Sequence, residues 1–192
     1  MNNSTLFECK NLDIGHKNAI ARGINMAVSP GKIFFIRGKN GSGKSTLIKT
    51  MLKKIEPISG SINWNISKSY VSYLPQITNP DSSFSFTVKE ILDLYEIENK
   101  YRNELPKGLE SKKWINTSGG EKQKVMLLSR ISKDTKMLIL DEPFNHLDQD
   151  SVESIKEMLV NIVKNQKISI VLVSHLNIDL PPDLVNSLEL KQ

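Results

Sequence analysis

A chain of 192 residues is long enough to bury one sizeable core and short for two, and its 39% hydrophobic and 24% charged residues are those of an ordinary folded chain. No apolar run approaches the roughly 20 residues of a membrane-spanning helix, Met1-Asn2-Asn3-Ser4 lacks the basic start and apolar stretch of a secretory signal, and the single Cys9 excludes an internal disulfide, so a cytoplasmic location is expected. The formal charge of +5 comes from scattered lysines (Lys53-Lys54, Lys112-Lys113, Lys122, Lys124) rather than one dense basic run, which reads as a solvated surface with no specific nucleic-acid partner.

In chain order, the apolar-rich segments Leu6 to Leu12 and Ile24 to Val28, separated by the polar stretch Asp13 to Asn18, predict paired antiparallel strands. Pro30-Gly31 is a turn signal before the buried strand Ile33 to Ile36. Then comes Gly38-Lys39-Asn40-Gly41-Ser42-Gly43-Lys44-Ser45-Thr46, the phosphate-loop pattern, and after it Leu47, Ile48, Met51, Leu52 and Ile55 recur at helical spacing. The loop thus has its strand-loop-helix context. Glycines let the backbone curl around an anion with its N–H groups inward, and the helix start adds its positive dipole end. Nucleotide binding is the expectation, with Lys44 reaching the terminal phosphates and Ser45 a magnesium ligand.

Further along, Ser59-Gly60 marks a turn, with strands at Ser61 to Ile66 and Tyr70 to Leu74, the second closed by Pro75. The segment Gln76 to Ser85 is polar and turn-rich and predicts an exposed loop. Thr87 with Glu90 three residues later is a capping-box signature that opens a helix to about Tyr95. Pro106 and Gly108 interrupt Glu96 to Lys113, which predicts short helices or loop. Past Gly119-Gly120, Val125, Leu128 and Ile131 fall on one face of a helix. Met137 to Leu140 reads as a strand buried on both faces, Gln149 to Asn165 as a helix with the stripe Val152, Ile155, Leu159, Ile162 and Val163, and Ile168 to Val173 as another buried strand. The fold class expected is α/β, a mostly parallel sheet wrapped by helices with antiparallel strands added near the N-terminus.

A phosphate loop alone leaves kinases, GTPases, helicases and transport ATPases open. The run Met137 to Leu140, however, ends in Asp141-Glu142, so two carboxylates emerge at the C-terminal end of a buried strand, on the edge where the phosphate loop must lie. Asp141 then suits a magnesium ion, and Glu142 suits the general base that polarises an attacking water.

Taken together, these motifs resemble the nucleotide-binding domain of the ATP-binding cassette (ABC) family over nearly the whole chain. Besides Gly38 to Thr46, Gln76 matches the family's glutamine loop, Thr117-Ser118-Gly119-Gly120-Glu121 its signature, Asp141-Glu142-Pro143 its Walker B end, Leu147-Asp148 its D-loop, and Ser174-His175 its switch histidine. The resemblance implies a P-loop NTPase fold, a single cassette over residues 1–192 with an N-terminal antiparallel β subdomain covering the adenine side, and a shortened helical subdomain at about 77–132. It also implies that ATP and magnesium are bound, that Gln76 contacts magnesium or the water, and that His175 contacts the γ-phosphate and helps orient the water and Glu142. Ser118, Gly119, Gly120 and Glu121 would grip the ATP of an opposing subunit, so two copies, or this chain and a related one, would close around two ATP molecules.

Departures from the family pattern are Thr117 and Glu121, where Leu and Gln are commonest, Ser129 in place of a basic residue, and His146 inside the D-loop stretch. No aromatic residue clearly matches the adenine-stacking position; His16 stands near it, with Phe7 a weaker candidate. The function implied is an ATPase subunit, peripheral on the cytoplasmic membrane face, that drives separately encoded membrane-spanning subunits, with export suggested by the small size. The alternative is a non-transport ABC ATPase of translation, chromosome maintenance or DNA repair. The loop from Gln76 through Phe86 is the expected docking surface for the membrane partner, because turn-forming polar residues there flank Phe84 and Phe86.

Overall fold

The computed structural model describes residues 5–76 and 85–190. Two sheets and five α-helices form its frame. In β3 (Ile33–Arg37), β6 (Met137–Asp141) and β7 (Ser169–Ser174), every side chain except Arg37 is buried. Such continuous burial requires cover on both faces, and the period of two along each strand divides the residues between two cores. Ile33, Phe35, Leu138, Leu140, Ile170 and Leu172 enter one core, while Phe34, Ile36, Met137, Ile139, Val171 and Val173 enter the other. With β5 (Val71–Leu74) and β8 (Val185–Glu189) these strands make a parallel five-stranded sheet in the order β5-β6-β7-β3-β8. The order puts β7 between the phosphate-loop strand and the Asp141 strand. Arg37 is level with Ser174 and Asp141 with Val173, so the segments after β3, β6 and β7 open together on one edge.

The second sheet is antiparallel, in the order β2-β1-β4, built from β1 (Phe7–Gly15), β2 (Ala19–Val28) and β4 (Ser59–Trp64). Its apolar residues join Leu47, Ile48 and Met51 of α1 (Lys44–Met51) in the core shared with the parallel sheet. Phe7 meets Trp64 edge to face at 4.7 Å, and the Trp64 indole N–H donates to the Met51 carbonyl at 2.9 Å, which pins the small sheet to the end of α1.

On the other face lie α2 (Val88–Leu94), α3 (Asn99–Arg102), α4 (Gly119–Leu128) and α5 (Gln149–Gln166). The Thr87–Glu90 capping box forms as expected, the Thr87 N–H donating to Glu90 Oε2 at 2.7 Å and the Glu90 N–H to Thr87 Oγ1 at 3.2 Å. The stretch Glu96 to Lys113, expected as short helices or loop, holds α3 and a single 3-10 turn at Leu109–Ser111, with another following at Trp114–Asn116. Arg102 organises it, its Nε donating to the Ile97 carbonyl at 2.7 Å and its guanidinium pairing with Asp93 at 2.6 Å.

Several expectations need correction. Ser59-Gly60 is the start of β4 rather than a turn, paired beside a register irregularity of β1 between Lys10 and Asp13. Helix α1 ends at Met51, with Lys53 at a positive φ of 55°, so Ile55 lies beyond it. Ile131 is buried but follows α4 instead of belonging to it. Strand β8 had no sequence signal. Of the predicted docking loop, residues 77–84 lie outside the described residues. Among the described residues no helix is long and apolar enough to cross a membrane.

Candidate functional site

The turn after β3 carries a left-handed residue, Gly43 at φ 95°, directly before α1, a conformation glycine adopts without the Cβ penalty. No side chain caps the helix there and no acidic residue stands in its first turn, so the backbone N–H groups of this helix start keep their affinity for a negative charge. The Lys44 ammonium is buried, donating to the carbonyls of Gly38 at 2.7 Å and Lys39 at 3.1 Å, and lies 3.3 Å from Glu142 Oε1. Lys44 is 6% exposed and Glu142 8%, so this ion pair is shielded from water and salt, unlike the surface pairs of the molecule.

Glu142 is a non-glycine residue held at φ 50°, a left-handed conformation of the kind concentrated at functional sites. Its second oxygen accepts from the His175 backbone N–H at 3.2 Å and from His175 Nδ1 at 2.9 Å. One carboxylate therefore joins the phosphate-loop lysine to the histidine after β7. The sequence expectation gave His175 a phosphate contact as well; its imidazole lines a neighbouring cleft of about 380 Å³ with Arg37, Lys39 and Asn177.

Asp141, one residue earlier, has a different environment. Burial pushes its carboxyl up, and the Ser45 and Tyr73 hydroxyls counter this only in part. Tyr73 donates to Oδ2 at 3.3 Å, whereas Oδ1 is buried with no hydrogen-bond partner among the described residues. A buried, unsatisfied carboxylate oxygen beside a serine hydroxyl is costly by itself and suits a hard, oxygen-seeking cation such as magnesium. The residues present thus fit that ion.

A cleft of about 480 Å³ lies over this edge, lined by Asn40, Gly41, Gly43, Lys44, Ser45, Thr46, Gln76 and Glu142, all anticipated from sequence. Gly38, Lys39 and Ser42 are not part of its lining; Gly38 and Lys39 supply the carbonyls that hold Lys44, and Ser42 is buried. Two lining residues were missed. Ile20 of β2, though 41% exposed, forms a hydrophobic wall, and Asn145 stands beside Glu142. Ile20 hides in sequence as one apolar residue of an alternating strand. His16 is exposed in the turn between β1 and β2 and is not part of this lining, and Phe7 is wholly buried against Trp64.

The signature residues lie at the start of α4, outside the cleft lining. Ser118 is the N-cap: its Oγ accepts from the Glu121 N–H at 3.2 Å, and its own N–H donates to Glu121 Oε2 at 2.8 Å. Glu121 also accepts from Lys112 at 2.7 Å; burial alone would raise its carboxyl, but the Lys112 and Ser118 hydrogen bonds bring it below the usual range. Glu121 is thereby engaged in holding the helix start. Gly120 is buried against Ser151 of α5, so close that a Cβ would collide with that side chain, whereas a Cβ on Gly119 would meet only Leu147 at 3.8 Å. Asp148 caps α5, accepting from the Ser151 N–H at 2.8 Å and hydroxyl at 3.0 Å, bonds that hold its carboxyl below its ordinary value.

Comparison with known proteins agrees in kind. The family described as "ABC transporter" matches residues 21–145. The ABC transporter ATP-binding protein YfmM of Bacillus subtilis is 35% identical over 177 residues, covering 88% of this chain and 33% of that protein. A zinc import ATP-binding protein, ZnuC 2 of Aliivibrio fischeri, is 34% identical over 166 residues, covering 83% of this chain and 68% of its own. The chain therefore spans one third of the first relative and about two thirds of the second. Among solved structures, cbiO1 from Clostridium perfringens, part of the ABC transporter complex cbiONQ, superposes with a TM-score of 0.76 at 26% identity, over 95% of this chain and 84% of that one.

Proposed function

The chain belongs to the ABC transporter family, and from that premise we propose that it binds and hydrolyses ATP as the ATP-binding subunit of a membrane transporter. The observation that carries the reading is the meeting of the buried Lys44–Glu142 pair with the exposed His175, next to a cleft walled by the phosphate loop. Backbone N–H groups of the loop and the α1 start would bind the phosphates, with Lys44 supplying the cation. Glu142 would take a proton from the attacking water at one carboxylate oxygen, while His175 holds the other and fixes the carboxylate's orientation. Magnesium, held by Ser45 and Asp141 with Gln76 nearby on the cleft wall, would neutralise developing charge on the phosphates. Ile20 offers the apolar surface on which a base can lie.

The composite site follows from the signature: Ser118 and Gly119 lie outside this chain's own cleft, so a second copy or a related subunit would bring its ATP to them. Membrane-spanning subunits are the proposed partners, in keeping with the transporter names of the relatives, and the chain would sit on the cytoplasmic face. The expected export direction finds no support, since the transport named among these relatives is zinc import. The non-transport alternative is likewise not favoured by these names.

The test is Glu142→Gln, assayed for nucleotide affinity and steady-state hydrolysis on the same preparation. Retained affinity with turnover reduced by roughly 100-fold or more, 100-fold being the lower end of general-base contributions, is expected. Near-normal turnover would remove Glu142 from the role of base.

A further inference from the structure

Tyr73 touches the candidate metal site through Asp141 without being one of its proposed ligands. Strand β5 runs parallel to β6 with Tyr73 level with Ile139, so Tyr73 shares the sheet face of Ile139 and, two residues on, of Asp141. On this face lies α1, whose first turn carries Ser45. The Tyr73 side chain leans along the strand to bring its hydroxyl 3.3 Å from Asp141 Oδ2. Lys54, just after α1, places its ammonium 5.4 Å from the centroid of the same ring. The phenol is half-buried between these groups, with its hydroxyl turned to the Asp141 carboxylate as the donor.

A carboxylate with one oxygen hydrogen-bonded has lost its free rotation. Its other oxygen, Oδ1, is the buried atom without a partner. We propose that Tyr73 is a positioning residue for the metal site: its hydroxyl fixes Asp141 through Oδ2 and presents Oδ1, together with Ser45, to the divalent cation that accompanies the nucleotide. This rests on the reading of the cleft as a magnesium-nucleotide site. The hydroxyl does not touch nucleotide or cation; it acts only by orienting a ligand, as outer-shell hydrogen bonds commonly do.

Tyr73→Phe removes the one oxygen and leaves the ring and its packing, so the chain should fold, which circular dichroism and thermal melting would verify. The probe is a fluorescent ATP analogue, its affinity measured in excess chelator and then across a series of free magnesium concentrations, for the unmodified chain and the variant. Equal affinity in chelator, with about 10-fold more magnesium needed by the variant to reach its tightest binding, is the expected result, the lower end of outer-shell effects. An unchanged magnesium requirement would overturn the proposal while leaving the cleft reading intact. Equal weakening with and without magnesium would also overturn it, by placing Tyr73 in the shape of the cleft instead of the orientation of Asp141. If the unmodified chain bound the analogue without any response to magnesium, the magnesium-site reading would fall and this proposal with it.

Discussion

The phosphate loop and the start of α4 are made of the same parts, glycines and a serine leading into a helix, and they differ in where their polar groups are satisfied. At the loop, Lys44, Asp141 and Glu142 are buried around a cleft, and Asp141 Oδ1 is without a partner among the described residues. At α4, Ser118, Glu121 and Lys112 satisfy one another, and Gly120 is filled by Ser151. Buried charged groups gathered at a cleft, with one carboxylate oxygen still unmet, mark a site able to bind a ligand alone. A helix start already closed by its own cap offers only its outer N–H face, which suits a ligand held by another molecule.

Lys44→Ala should break this contrast most severely. It removes the cation facing the phosphates and leaves Glu142 with His175 alone, its charge no longer balanced by a lysine, so nucleotide affinity should fall by about 2–3 kcal/mol, or about a hundredfold. Isothermal titration would check this; affinity within twofold of the unmodified chain would contradict the assigned role.

Gly120→Ala sharpens the other side. The added methyl meets Ser151, and overpacking of this kind costs about 1–3 kcal/mol. If packing is the reason for glycine here, Gly120→Ala combined with Ser151→Gly should recover most of that loss in denaturant unfolding, because the colliding atoms are gone. A double variant no more stable than Gly120→Ala would show that the requirement lies in the backbone of residue 120 itself.

The smallest effect concerns a cap remote from both. Thr87→Ala deletes the acceptor for the Glu90 N–H and should cost about 1 kcal/mol, seen as a drop of about 2–4 °C in melting temperature. Nucleotide affinity should not change, and a change would tie α2 to the cleft more tightly than its packing suggests.

Local chemistry made much of this readable in the sequence. Thr87 with Glu90, the apolar run Met137 to Leu140 and the loop Gly38 to Thr46 each carry their structure within a few residues, and each forms as read. What stayed hidden depends on partners distant in sequence. Strand β8 is a polar edge strand with only Val185 and Leu188 half-buried, held by pairing to β3 some 150 residues earlier, and no local pattern announces it. Gly60 looked like a turn because its strand pairs beside an irregular stretch of β1. Likewise, the packing of Gly120 against Ser151 is invisible in sequence because Ser151 lies on a different helix, and Ile20 and Tyr73 acquire roles only once β2 and β5 are set beside the loop.

The claim that this chain holds half of a composite ATP site is tested most directly by mass in solution, measured by light scattering on the Glu142→Gln variant with saturating magnesium and either ATP or ADP. ATP should double the apparent mass, ADP should leave it at the value of the single chain, and adding Ser118→Arg should abolish the ATP effect by blocking the face of α4. A mass unchanged by ATP, at a concentration where binding is shown to be complete, would contradict it.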